Sequence, residues 1–213
     1  MSVAIAFDLF GTLVAAERPA DPAAAVAAEL RKRDVTVPAD WQAAYSEPHI
    51  DAPTGAEVPL PAHVSAALAS RGVETPNNAA RRAVVAAFDP TVDTRTGAIE
   101  ALRAARECGP VGLLSNCSVP ELVGRTLIRS KLSREEFDVI VSSVACGWRK
   151  PDSRAFETLA DQLGVSVDSL IYIGDNPATD GGIEDCGGKF IHVDTCPLSE
   201  LPARIETEVS EDA

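Results

Sequence analysis

The chain has 213 residues, enough for one domain with an insert, and its 32 acidic residues outnumber 19 basic ones, a net charge of −13. This charge disfavours nucleic acid and anionic membrane surfaces as partners. No apolar run reaches the roughly 18 residues of a membrane span, and the start of the chain lacks a signal-peptide pattern, so we expect a cytoplasmic protein. The acidic balance, with alanine in place of larger aliphatic residues, is typical of a halophilic protein.

The five cysteines form no C-x-x-C pair and are odd in number. Reduced thiols are therefore expected, without a disulfide framework or a zinc site. The three histidines are scattered, and no histidine lies in a local pattern that would support a cysteine nucleophile. We expect neither residue type to carry the chemistry.

An apolar run from Val3 to Phe7 predicts a strand buried on both faces. It ends on a carboxylate, Asp8. Gly11 and Thr12 follow, a pair suited to a tight turn whose backbone N–H groups can face a ligand. Ligands of open parallel sheets bind at the carboxyl ends of the strands, so Asp8 is predicted to lie at the rim of an active site.

Residues 15–90 are rich in alanine, proline and charge, and show no convincing strand. Helix patterns cover residues 23–33, 41–46, 62–71 and 78–88, and a proline-rich stretch over 47–61 predicts a loop. We therefore predict a helical insert over residues 15–89, between core segments 1–14 and 90–213. A lid over the site is the favoured interpretation, and a helical subdomain without a gating role is the alternative.

From Gly97 onward, strand and helix patterns alternate, which predicts an α/β fold with a parallel sheet. Ser118, Pro120 and Glu121 form the pattern of a capping box that opens a helix. Asp152 is predicted to cap another helix, and residues 206–213 are expected to fray. The predicted strands cover residues 111–114, 138–143, 170–173 and 189–193, and the predicted helices cover 98–107, the segment after 118, the segment after 152, and 178–185.

Polar residues follow four of these strands at one edge of the sheet. They are Asp8, Ser115 with Asn116, Lys150, and Asp175 with Asp180. Three neighbouring carboxylates raise one another's pKa unless a cation intervenes, and a hard divalent ion such as Mg²⁺ suits oxygen ligands. Lys150 adds a positive charge, while Ser115 and Asn116 can hydrogen-bond an anion at a helix N-terminus. This set suits phosphoryl transfer, for which a carboxylate can be the nucleophile.

In its motifs the chain resembles the haloacid dehalogenase (HAD) superfamily of hydrolases. The matching motifs are Phe7-Asp8-Leu9-Phe10-Gly11-Thr12-Leu13, Leu114-Ser115-Asn116, Arg149-Lys150-Pro151-Asp152 and Gly174-Asp175-Asn176-Pro177-Ala178-Thr179-Asp180. The resemblance implies a Rossmann-like core, with helices on both faces of its sheet and a cap inserted after the first motif.

The resemblance also implies roles for individual residues. Asp8 would be the nucleophile, and Ser115 and Lys150 would hold the transferring group. Asp175 and Asp180 would organise Mg²⁺ together with Asp8, and the backbone carbonyl of Phe10 would complete the metal site.

One residue departs from the pattern of the phosphatases in this superfamily. They carry a second Asp two residues after the nucleophile, which protonates the leaving group, whereas this chain has Phe10. The 2-haloacid dehalogenases of the superfamily carry an aromatic residue there and need no metal. Their last motif, however, lacks the Gly-Asp…Asp pattern that Asp175 and Asp180 preserve.

Three functions therefore stay open. The first is a Mg²⁺-dependent phosphatase that acts on a small phosphorylated metabolite through an aspartyl-phosphate. The second is a hydrolase similar to the 2-haloacid dehalogenases, and the third is a catalytically weak HAD-fold binding protein. In each case the expected partner is a small molecule, and the sequence indicates neither its identity nor the oligomeric state.

Overall fold

The computed structural model describes residues 3–211. Its strands are β1 (Ala4–Phe7), β2 (Val14–Ala16), β3 (Val92–Thr94), β4 (Val111–Ser115), β5 (Val139–Ser142), β6 (Leu170–Gly174) and β7 (Lys189–His192). Its α-helices are α1 (Pro22–Arg31), α2 (Trp41–Ser46), α3 (Leu60–Ala69), α4 (Ala79–Ala87), α5 (Ala98–Cys108), α6 (Leu122–Arg129), α7 (Ser143–Cys146), α8 (Ser153–Leu163) and α9 (Leu201–Glu211). The short helix predicted over residues 178–185 is a 3₁₀-helix that spans Asp180–Cys186.

Five strands form one parallel sheet in the order β5-β4-β1-β6-β7. The central strand β1 is fully buried, and its side chains alternate between two apolar clusters. Ile5 and Phe7 join the cluster that contains α5 and α9, whereas Ala4 and Ala6 join the cluster that contains α8. Helices thus cover both faces, and the predicted Rossmann-like α/β core is confirmed.

The segment between β2 and β3 contains the helices α1 to α4, packed on one another. Asp21 caps α1, because its side chain accepts a hydrogen bond from the Ala24 backbone N–H at 2.9 Å. The Trp41 indole donates to the Ala23 carbonyl at 2.8 Å and so joins α2 to α1. These helices follow the predicted pattern, with ends shifted by at most two residues.

A two-stranded ribbon connects this helical segment to the core. β2 and β3 pair antiparallel, so the prediction that residues 15–90 lack a strand is wrong where β2 extends to Ala16. The pairing joins segments far apart in sequence, and each strand has three residues, too short for a periodic pattern. Both passages of the chain between core and insert therefore lie side by side.

The proline-rich stretch before α3 is a loop, as predicted, but it lies against the core. Ala56 bridges Trp148, and the Arg149 backbone N–H donates to the Gly55 carbonyl at 2.9 Å. Gly55 has φ +81°, and an added Cβ would lie 2.0 Å from an Asp152 carboxylate oxygen. These contacts hold the insert to the loop that carries Arg149 and Asp152.

Two predicted helix ends are corrected. α6 begins at Leu122 and not at a Ser118 capping box, because Glu121 has φ +66° and its carboxylate pairs with Arg81. The acidic end does not fray from residue 206: α9 continues to Glu211, with Leu201 and Ile205 buried near α5. The last two residues of that prediction lie outside the described part. None of the helices described between residues 3 and 211 combines the length and apolarity that a membrane crossing needs.

Candidate active site

The predicted site residues meet at the carboxyl edge of the sheet. Asp8, Asn116 and Asp175 directly follow the neighbouring strands β1, β4 and β6 respectively, and Ser115 is the last residue of β4. Parallel strands of similar register end side by side, so these side chains face one space. They border a cavity of about 330 Å³, here called the catalytic cavity. The residues that were predicted for the site from the sequence and that line this cavity are Asp8, Phe10, Ser115, Asn116, Lys150, Asp175 and Asp180.

Lys150 lies at the centre of a buried polar network. Its Nζ donates to Asp8 Oδ1 at 2.9 Å, to Asp180 Oδ1 at 2.6 Å and to the Tyr172 hydroxyl at 2.6 Å. The Tyr172 hydroxyl in turn donates to the Leu114 carbonyl at 2.6 Å. All three ammonium protons therefore have acceptors, and Asp8 Oδ1 is held in place.

Burial dominates the electrostatics of Asp8. Removal from water raises the pKa of Asp8 to about 6, the nearby Lys150 charge opposes that rise, and Asp180 adds to it. Burial also raises the pKa of Tyr172 well above its usual value. At neutral pH the Asp8 carboxylate is thus mostly ionised, while Tyr172 stays a neutral hydroxyl.

Asn116 positions the lysine backbone. Its Nδ2 donates to the Lys150 carbonyl at 2.8 Å, and its Oδ1 accepts from the Lys150 N–H at 2.8 Å. Both ends of the amide are occupied, so its part as an anion ligand stays a prediction. Ser115 differs, because its buried Oγ has no hydrogen-bond partner among the described residues and borders the catalytic cavity. A buried hydroxyl without a partner is the group that a bound anion would satisfy.

Three carboxylates fit a divalent cation. Oxygen atoms of Asp8, Asp175 and Asp180 all lie within 4.8 Å of one another. One lysine cannot neutralise three carboxylates, and hard oxygen donors suit Mg²⁺. Thr12 holds Asp175 in this group, since its hydroxyl donates to Asp175 Oδ1 at 3.2 Å. The Phe10 carbonyl as a further ligand stays a prediction.

Gly11 and Thr12 lie behind the acidic cluster. The Gly11 N–H donates to the Val14 carbonyl at 2.8 Å, and Thr12 is fully buried. Gly11 has φ +93°, and an added Cβ would lie 2.2 Å from Asp175 Oδ2, so only glycine fits. Their observed partners are internal and support Asp175, and their part in binding substrate stays a prediction.

Several residues of the catalytic cavity were assigned no role from the sequence, although Arg149, Asn176 and Thr179 lie within the matching motifs. Tyr172 counted only as part of an apolar strand, although its hydroxyl was the one polar tip in Leu170-Ile171-Tyr172-Ile173. Arg18 and Arg149 border the cavity with exposed side chains. No spacing marks Arg18, which comes from the passage into the helical insert. Asn176 and Thr179 also line the cavity.

A Rossmann-like sheet with a buried aspartate–lysine pair, an acidic cluster at the ends of its strands and a helical insert between β2 and β3 defines a class of hydrolases. The sequence model of the haloacid dehalogenase-like hydrolases matches residues 3–183. The chain belongs to this family.

Individual relatives are more distant. Phosphatase MT3486 of Mycobacterium tuberculosis (strain CDC 1551 / Oshkosh) is 38% identical over 76 residues, which are 35% of this chain and 35% of that protein. A 2-haloacid dehalogenase from Pseudomonas syringae pv. Tomato DC3000 superposes with a TM-score of 0.65 at 15% identity, over 98% of this chain and 100% of that chain. The HAD family enzyme bt-2542 from Bacteroides thetaiotaomicron, in complex with magnesium and inorganic phosphate, has a TM-score of 0.59 at 16% identity, over 90% and 94% of the two chains. At these identities the two structures support the fold alone.

Proposed function

We propose that this hydrolase is a Mg²⁺-dependent phosphatase that acts on a small phosphorylated metabolite through an aspartyl-phosphate on Asp8. The observation that carries the proposal is the cluster of Asp8, Asp175 and Asp180 around the buried Lys150 ammonium. A relative named as a phosphatase and a similar fold solved with magnesium and inorganic phosphate support it.

The contacts of Asp8 select the attacking atom. Oδ1 is bound to Lys150, so Oδ2 is the oxygen available to attack phosphorus. The new bond joins Asp8 Oδ2 to phosphorus, and the bond from phosphorus to the leaving oxygen breaks with its electron pair on that oxygen. Water then attacks the aspartyl-phosphate, which releases inorganic phosphate and restores the carboxylate.

The surrounding groups would manage the charge of the phosphoryl oxygens. The unpaired Ser115 Oγ can donate to one of them, and Lys150 keeps Asp8 oriented. Mg²⁺, held by Asp8, Asp175 and Asp180 with the Phe10 carbonyl, would supply the neutralisation that phosphoryl transfer requires.

Phe10 restricts the leaving groups. It borders the catalytic cavity at the position where the phosphatases of the superfamily place a proton donor, and a phenyl ring donates no proton. Leaving groups that depart as anions are therefore favoured, such as those of acyl and aryl phosphates.

The dehalogenase alternative has one observation in its favour, the same Phe10. Halide leaves without a proton, so a missing acid would be harmless. The likeness to the 2-haloacid dehalogenase concerns the fold at 15% identity. The three clustered carboxylates favour the phosphatase, since carbon–halogen cleavage in this superfamily needs no metal.

The test compares phosphate release from phenyl phosphate and acetyl phosphate with chloride release from 2-chloropropionate, each with Mg²⁺ and with EDTA. We expect phosphate release that EDTA abolishes and that Asp175→Asn strongly reduces. Asp185→Asn, an exposed acid on the 3₁₀ segment that Asp180 begins, is the control. Chloride release without metal would overturn the proposal in favour of the dehalogenase, and magnesium and phosphate binding without turnover would favour the binding protein.

A further inference from the structure

A second cavity adjoins the catalytic cavity. This side chamber has a volume of about 140 Å³, and Phe10, Arg18 and Asn116 line both spaces. Its own walls are mainly apolar, with Phe88 and Leu122 among them. Because the two cavities share a wall only two residues from Asp8, the part of a substrate beyond its phosphoryl group would extend into the side chamber. A volume near 150 Å³ is enough for a benzene-sized ring.

Arg18 lies at the junction of the two cavities. Its guanidinium carbon is 5.9 Å from the centroid of the Phe10 ring, and its side chain is exposed. Across residues 3–211 it forms no ion pair, although the chain has 13 more acidic than basic residues. An unpaired guanidinium presents a planar fork of donors that matches a carboxylate.

We propose that the side chamber binds the leaving group of the substrate, a small ring or similarly compact apolar body, and that Arg18 binds a carboxylate on it. This inference deepens the proposed function and rests on it, because it names the substrate class as carboxylate-bearing aryl phosphates or close analogues. It also agrees with the absence of a proton donor at Phe10, since an aryl oxygen leaves as an anion more readily than an alkyl oxygen.

One acidic residue of the side chamber points to the opposite chemistry. Glu17 lines the side chamber but not the catalytic cavity. If Glu17 determined specificity, the leaving group would carry an ammonium. Arg18 is favoured because it borders both spaces and lies over Phe10, where the group bonded to phosphorus must pass.

The first experiment needs no turnover. Calorimetry would measure the binding of 4-hydroxybenzoate, the neutral 4-hydroxybenzamide and the cationic 4-(aminomethyl)phenol to the full chain with Mg²⁺. We expect the carboxylate to bind tenfold or more tightly than the amide, because a charge-assisted hydrogen bond from a guanidinium is stronger than one to a neutral group. Arg18→Gln should remove this difference in affinity. The control variant Arg31→Gln, which changes an exposed arginine of α1, should bind the carboxylate and the amide with the same difference in affinity as the wild type. Equal affinities, or a preference for the amine that Glu17→Gln abolishes, would overturn the inference.

The second experiment measures kcat/KM for 4-carboxyphenyl phosphate and phenyl phosphate at saturating Mg²⁺. The ratio of the two values should fall about tenfold in Arg18→Gln, since one charged contact is lost. Comparing ratios between variants cancels the intrinsic reactivity of the two esters. Arg149 borders the catalytic cavity but not the side chamber. Arg149→Gln should therefore change kcat/KM for both substrates by the same factor. An unchanged ratio in Arg18→Gln would overturn the inference, whereas no phosphate release from either ester would contradict the proposed function and leave the calorimetry to decide the side chamber.

Discussion

The sheet edge and the helical insert treat charge in opposite ways. At the sheet edge, Asp8, Lys150 and Asp180 are buried and satisfy one another. In the insert, the buried side chains are almost all Ala, Val and Leu, and ion pairs such as Arg71 with Glu47 lie at the surface. Burying a charge destabilises the folded state because the charge loses its hydration, whereas burying methyl groups stabilises it.

The difference teaches where function and stability reside. The charged groups at the sheet edge stay buried although the loss of hydration disfavours their burial. Such a cost is expected where the groups serve a chemical function. The insert behaves as an ordinary small helical core. Substitutions at the sheet edge should therefore change turnover most, and substitutions in the insert should change stability with little effect on the chemical step.

The largest effect is expected for Asp8→Asn. An amide cannot replace the attacking carboxylate, so phosphate release should fall roughly 10⁴-fold or more. Thermal stability in EDTA at pH 7 should not fall, because the variant removes a buried charge. Phosphate release and thermal melting check both statements, with the exposed Asp51→Asn as the control. Turnover retained in Asp8→Asn would exclude the covalent route.

Lys150→Met should strongly destabilise the sheet edge. Asp8 and Asp180 would lose the ammonium that binds both, and breaking a buried pair costs about 3–5 kcal/mol. Urea unfolding in EDTA measures the loss. Lys32→Met is the control, because its pair with Glu29 is exposed and such pairs contribute about 0–1 kcal/mol. Losses of similar size in the two variants would contradict the contrast between buried and exposed charge.

Phe10→Asp should add a proton donor at the sheet edge. Activity on alkyl phosphates should rise by about 10²–10⁴, the usual contribution of a general acid, while aryl phosphates change little. A leaving-group series at saturating Mg²⁺ measures this in the wild type and the variant, with Phe10→Leu as the control for lost packing. Wild-type rates that do not vary with leaving-group pKa would show that another residue supplies the proton.

The pH dependence of stability should carry the signature of Asp8. Its pKa is raised from 3.8 to about 6 in the folded chain, so the native state keeps a proton that the unfolded state has lost between these values. Stability should fall as pH rises through this window, by at most roughly 3 kcal/mol from this group, and level off above it. Urea unfolding of the wild type and of Asp8→Asn, measured in EDTA across this pH range, isolates the contribution of Asp8 to the free energy of unfolding. A difference between the two proteins that is constant with pH would refute it.

The smallest effect belongs to the insert. Asp21→Ala removes the cap of α1 and should cost about 1 kcal/mol in urea unfolding. Turnover under folded conditions should stay within about twofold, as expected of a change outside the chemistry. Asp51→Ala, an exposed loop position in the same insert, is the control. A large loss of turnover in Asp21→Ala alone would show that insert and sheet edge are coupled.

Much of the core could be predicted because its signals are local. The apolar run before Asp8 and the run before Asp175 are long enough to indicate buried strands. Parallel strands place their carboxyl ends together, so Asp8, Ser115 and Asp175 could be assigned to one edge from the sequence alone. The alternation of strands and helices likewise determined the α/β class.

Other features depend on contacts between segments that carry no local pattern. The β2–β3 ribbon joins two three-residue strands, and α6 starts late because Glu121 has a positive φ. The hydroxyl of Tyr172 acquires its role only when Lys150 reaches it. Tertiary structure alone brings Arg18 from the passage into the insert to the wall of the catalytic cavity, because a side chain's neighbours across the fold are decided by packing and not by spacing along the chain.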